Sequence, residues 1–246
     1  REEAIALYDN ANHFLDKKGA IKLIKNQKDS ASLDLIEKAM KDDFWNVRKT
    51  AIQASKKLAK ERPTRTLETL KKIAKADDKS VNRAAAVAAI SKYFIEEVEM
   101  EYLNERTEDL SYYVVSATLD AVYNKDAKQG LLLAERLEKE ENAAILSTVA
   151  NIYAEDGSPQ RQTFFEEAIR NASGFGKYGL MNSYGDFLDK QEFAVVEKAL
   201  PTLAENSKGT DIWIVQMAGL NSLIKMKTKN ARAIEQLNAE IAKTED

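Results

Sequence analysis

The chain of 246 residues contains no cysteine. That excludes a disulfide scaffold, a thiolate metal site and a cysteine nucleophile, and leaves the compartment open. It has a single histidine, His13, so no pair of histidines can face one way along a helix to bind a metal. Only three prolines and nine glycines are spread over its length. So few breakers, among abundant Ala, Leu, Glu and Lys, predict a nearly all-helical protein. No apolar run approaches the roughly 20 residues that span a bilayer, and no charged-then-apolar leader opens the chain. Nor is there a basic stripe: the formal net charge is −3 and the pI about 5.6, with acids and bases interleaved, which argues against nucleic acid as a partner. Most of the 37 basic residues are Lys, which suits solvated helix faces better than bidentate phosphate recognition.

What is present is a short phrase that occurs twice. Asp42-Asp43-Phe44-Trp45-Asn46-Val47-Arg48 leads into Ala51-Ile52-Gln53-Ala54, and Asp77-Asp78-Lys79-Ser80-Val81-Asn82-Arg83 leads into Ala86-Val87-Ala88-Ala89. Both landmarks recur 35 residues on (43 to 78, 48 to 83). Self-similarity at a fixed period points to stacked repeats, each of which buries its apolar face only against its neighbours. With 44% hydrophobic and 31% charged residues, the chain has enough apolar content for such a core.

Apolar periodicity places the helices. Leu33, Ile36, Ala39 and Met40 form one stripe, and Val47, Ala51, Ala54 and Leu58 the next. Asp42-Asp43 between them supplies capping carboxylates. Pro63 opens the following helix, where a missing N–H has no cost. Beyond residue 95 the hairpins continue on helix pattern alone, through Tyr102 and Leu119, Leu131–Leu137 and Ile145–Tyr153, Phe165 and Leu188, and Leu203 and Ile224. A last amphipathic helix on Ile234, Leu237 and Ile241 closes the chain. Short connections make neighbours antiparallel. The expectation is an all-α solenoid of antiparallel hairpins, six or seven in number, forming one domain over residues 1–246.

The phrase resembles the HEAT repeat, in which an Asp precedes the second helix and Val-Arg begins it. Asp43, Val47 and Arg48 match; Asp78 and Arg83 match with the Val displaced to Val81. Pro201, inside an apolar helix pattern, resembles the proline that kinks the first helix of such repeats. The period of 35 is shorter than the usual HEAT period of about 40–47. A narrower resemblance joins Tyr8-Asp9-Asn10-Ala11 and Phe14-Leu15-Asp16-Lys17 to the Asp42–Arg48 phrase. Together they look like the C-terminal helical region of bacterial M1-family zinc aminopeptidases. A chain beginning at Arg1 rather than Met agrees with an excised C-terminal part of something longer.

No other pattern selects a site. Gly174-Phe175-Gly176-Lys177-Tyr178-Gly179 has the spacing of a dinucleotide fingerprint, but amphipathic helix precedes it where a strand is required, and it reads instead as an inter-hairpin turn. Asp43 and Asp78 read as helix caps, Arg48 and Arg83 as ties between hairpins, and Glu96-Glu97, Glu108-Asp109 and Glu140-Glu141 as solvated helix ends. Trp45, Trp213, Tyr112, Tyr113, Tyr178 and Tyr184 are the aromatic candidates for a binding face; most are expected in packing. The M1 resemblance implies a domain with no catalytic residue and no cofactor of its own, zinc being held in the catalytic domain of the parent protein. It implies the catalytic domain as partner and a peptide substrate at the concave face. The alternative is a stand-alone adaptor that binds another protein. A HEAT-like DNA glycosylase would need a basic groove that this composition does not supply.

Overall fold

A computed structural model of the chain describes residues 1–208, 212–227, Glu235 and Ala239. The closing helix expected on Ile234, Leu237 and Ile241 lies outside the described residues. Among those described, every regular element is helical. The framework gathers into two compact units, Arg1–Gly130 and Leu131–Asp246.

In the first unit α1 (Glu2–Asp9) packs on α2 (Phe14–Ile24), and α3 (Ser30–Ala39) on α4 (Trp45–Gln53). A short α5 (Lys56–Glu61) leads to α6 (Pro63–Ala76), which packs on α7 (Ser80–Phe94), and α8 (Met100–Arg106) packs on α9 (Tyr112–Lys125). The second helices stack in series, α2 on α4, α4 on α7, α7 on α9. Their touching faces supply the core: Ala20, Ile21, Val47, Ala51, Ile52, Ala86, Val87, Ile90, Val114 and Leu119 are buried. Alanines at these contacts let the helix axes approach closely, and β-branched and Leu side chains fill the gaps. The helix expected from Val47 through Leu58 is two helices: Ala54 and Ser55 turn more tightly, Ser55 N–H reaching Ile52 O at 3.2 Å. Leu58 is buried from α5.

The boundary between units falls inside α10 (Ala127–Leu137). In the second unit α11 (Ala143–Asp156), α13 (Gly174–Leu188) and α15 (Trp213–Lys227) stack in series, with α12 (Gln162–Asn171) on α13 and α14 (Phe193–Ser207) on α15. Tyr153, Phe165, Tyr184 and Phe187 form a buried aromatic core, Phe165 and Tyr184 stacked with centroids 5.0 Å apart. The glycine-rich stretch at 174–179 is the first turn and a half of α13 rather than an inter-hairpin turn, and helix α12 precedes it. Helix α14 runs on through Pro201, whose ring sits at the exposed surface. The fold is thus the all-α assembly of HEAT-like antiparallel hairpins that the phrase predicted.

Candidate interaction surface

The second helices of the first unit begin at one edge, and the repeated phrase lies there. The second aspartate of each pair does little with its side chain toward its own helix. The capping is done one residue earlier: Asp42 Oδ1 accepts the Phe44 N–H at 2.9 Å, and Asp77 Oδ1 the Lys79 N–H at 2.9 Å. A third copy follows, Asp109 Oδ1 accepting the Ser111 N–H at 2.9 Å. An aspartate two residues before the accepted N–H closes an Asx turn and sets the direction of helix entry. Asp43 is exposed and contributes its backbone carbonyl; Asp78 is exposed and pairs with Arg48 and with Lys79, the latter at 3.5 Å.

The fourth residue of each helix then reaches forward. Arg48 grips Asp77 through Nε at 2.7 Å and Nη2 at 2.8 Å, while its Nη1 donates to the carbonyls of Asp42 and Asp43. Arg83 repeats this on Asp109, at 2.8 Å from both Nε and Nη2, and donates Nη1 to the Asp77 carbonyl. Lys17 takes the same place on α2 and pairs with Asp42 at 2.7 Å. On α9 the fourth residue is Val115, so the ladder of cations ends there. Arg48 and Arg83 therefore tie hairpins together, and the forked guanidinium matches the carboxylate in a way a lysine would not.

Charge follows geometry. Hydrogen bonds from Arg83 hold the Asp109 carboxyl below its ordinary value of 3.8. Burial pushes the Asp77 carboxyl up, but Arg48, the Lys79 N–H and Asn82 outweigh it and leave it lowered. The Arg48 guanidinium is raised by its bond to Asp77. Val47 and Val114 are fully buried at the third helical position. Between them Asn82 fills the slot that Val47 fills one repeat earlier, and its Nδ2 donates to the Trp45 carbonyl at 3.1 Å and to both Asp77 oxygens at 3.2 Å. The valine that the second phrase displaces is thus replaced by a buried hydrogen-bonding residue.

The Tyr8 and Lys17 segment joins the same network. Tyr8 donates its hydroxyl to Asp42 Oδ2 at 2.7 Å, and burial together with that carboxylate pushes the phenol well above its usual range. The residues that carry the narrower resemblance therefore fasten the first hairpin to the second.

Outside this ladder the edge is apolar. His13, Phe14, Phe44 and Trp45 form a chain of rings with centroids 4.5, 4.6 and 5.9 Å apart. Leu15 and Phe44 are exposed beside it. At the start of α9 Leu110 is fully exposed (102%), with Tyr112 and Tyr113 at 50% and 61%. Trp213 is exposed (71%) at the start of α15 in the second unit, whereas Tyr184 is core and Trp45 and Tyr178 are half-buried. The aromatic candidates therefore divide: Tyr112, Tyr113 and Trp213 face solvent, whereas Trp45, which also opens a second helix, is half covered.

His13 is the N-cap of α2, its Nδ1 accepting the Leu15 N–H at 3.2 Å. Among the described residues no three His, Cys, Asp or Glu side chains are grouped to hold a metal. No helix among them is long and apolar enough to cross a membrane.

The sequence profile of the HEAT-repeat family matches residues 2–91, the stretch that holds both copies of the phrase and the Tyr8 and Lys17 segment. No curated protein matches the chain in sequence. Among solved structures the chain is similar to YibA of Escherichia coli, with a TM-score of 0.60 at 16% identity, over 99% of this chain and 92% of that one. That likeness is one of fold.

Proposed function

We infer that this chain is a non-catalytic helical-repeat domain that acts by contact, presenting the exposed edge of its first unit to another protein surface. The observation that carries this is Leu110 with Tyr112 and Tyr113, three large side chains left in solvent beside a rigid, salt-bridged scaffold. Aromatic anchors on a preorganised surface are what protein interfaces select, because two-torsion side chains bury much area at small entropic cost.

The finer assignment is the C-terminal region of an M1-type zinc aminopeptidase, with its own catalytic domain as the contacted surface and the helices walling a peptide chamber. It rests on the resemblance at Tyr8–Lys17 and Asp42–Arg48. Its mechanism is steric: a helical wall limits which peptides reach a zinc held elsewhere. The alternative, a stand-alone adaptor, uses the same edge on a separate protein. Hydrogen exchange on the longer polypeptide carrying this chain, against the chain alone, tests the contact. Amides at 44–48 and 110–114 should slow when the edge is covered, and unchanged exchange at both overturns the reading. A preceding domain without His-Glu-x-x-His overturns the peptidase assignment and leaves the adaptor.

A further inference from the structure

Helix α15 is apolar on two faces, and one of them is packed. Val215, Ala218, Ser222, Leu223 and Met226 are buried, and the helices that α15 packs on are α13 and α14. The opposite face carries Trp213, Met217, Leu220 and Ile224, at intervals of four, three and four residues. Trp213, Met217 and Ile224 are 71%, 45% and 55% exposed, and Leu220 is half-buried. That spacing is the seam of a helix pair. A helix apolar all round belongs inside a stack, as α13 lies between α11 and α15. Helix α15 has the same makeup with one side of the stack unfilled.

We propose that residues 228–246 of this chain fold back as a helix along the Trp213–Ile224 stripe, antiparallel to α15, and cover it. The inference concerns the second unit alone and goes beyond the contact assigned to the first.

The segment carries a matching apolar face. Ile234, Leu237 and Ile241 recur at three and four residues and share one side of a helix. Glu235 and Ala239 are helical and exposed, and they fall on the opposite side of the same helix. An apolar face turned from solvent needs a partner. The connection suits a hairpin: α15 ends at Lys227, six residues before Ile234. Helix–helix connections of that length join antiparallel neighbours.

The two stripes also agree in length. Ile234 to Ile241 is seven residues, and so is Met217 to Ile224, with the same rise per residue in both helices. An antiparallel hairpin therefore sets Ile234 against Ile224, Leu237 against Leu220 and Ile241 against Met217. A second copy of the chain suits the stripe less well. Four side chains make a strip one helix wide, well short of the roughly 1,200 Å² that a stable interface buries. A tethered segment meets the strip at high effective concentration and avoids most of the cost of association.

Because the chain has no cysteine, engineered pairs read this contact without background. In the full chain, Met217→Cys with Ile241→Cys should close an intramolecular disulfide when oxidised glutathione is added, the monomer mass being kept. Met217→Cys with Glu235→Cys, whose second position lies on the exposed face, should cross-link about tenfold less. Leu237→Asp added to the first pair should lower its yield several-fold. A disulfide between chains would give the stripe to a second copy. Equal yields in the two pairs would mean that the segment holds no fixed face to α15, and no disulfide in either would leave the stripe to another partner. Each of these three results overturns the proposal.

Discussion

Arg48 holds Asp77 through two guanidinium nitrogens, Nε at 2.7 Å and Nη2 at 2.8 Å, and so fixes the start of α4 to the start of α7. Both side chains are largely withdrawn from water, at 13% and 5% exposure. In that setting the loss of one partner is worse than the loss of both, because a lone buried charge keeps its desolvation cost.

Asp77→Ala should therefore cost about 1–3 kcal/mol, since it leaves Arg48 only Asp78 and the Asp42 and Asp43 carbonyls and also removes the acceptor of the Lys79 N–H. In a double-mutant cycle by urea unfolding, Arg48→Met with Asp77→Ala should be clearly less destabilised than the sum of the singles. Strict additivity would mean the pair is uncoupled.

Acid should act through the same ladder. Asp42, Asp77 and Asp109 all have carboxyls below the ordinary 3.8 in the folded state. A lowered folded value means the stabilisation is complete above 3.8 and is lost as pH falls through the folded values. The urea midpoint of the wild type should thus drop below about pH 4, and Asp109→Asn should flatten that acid limb while lowering the neutral plateau. An unchanged slope in the variant would remove Asp109 from the account.

The aromatic edge predicts the opposite pattern. Tyr112→Ser with Tyr113→Ser changes two side chains that are 50% and 61% exposed and should cost no more than about 1 kcal/mol in thermal melts. The same change should abolish the protection of residues 110–114 that the proposed contact confers. A large loss of stability would place these rings in packing rather than at an interface.

In the second unit Gly185 lets α13 and α15 meet. A Cβ added there would lie 2.9 Å from Ser222 Cβ and 3.3 Å from its Cα, and Ser222 is held by a hydrogen bond to the Met181 carbonyl at 3.1 Å. Gly185→Ala should cost about 1–3 kcal/mol by overpacking, and Ser222→Gly in that background should recover part of it. No recovery would show that the backbone, not Ser222, bears the clash.

Much of this could be read from the residues. Repetition over residues 42–89 follows from one phrase and its spacing, and the later hairpins from apolar periodicity alone. The capping residue could not, because Asp42 and Asp43 are equivalent letters until the turn shows which carboxyl faces the N–H two residues on. The third copy at Asp109 escaped because it recurs 32 residues on (77 to 109) with Val115 in place of the arginine. Its partner Arg83 is remote in sequence, so only the stacked helices bring the two together.

By itself the sequence determined helix content, through the scarcity of proline and glycine, and repetition, through the 35-residue spacing. Both are local properties of the chain, set by backbone freedom and by which face of each helix is apolar. Tertiary structure alone decided which residues cap, why Asn82 stands where a valine is expected, and which aromatics stay in water. Those outcomes depend on hydrogen-bond partners and burial supplied by the next hairpin, about 26 to 37 residues away, and no local pattern encodes them.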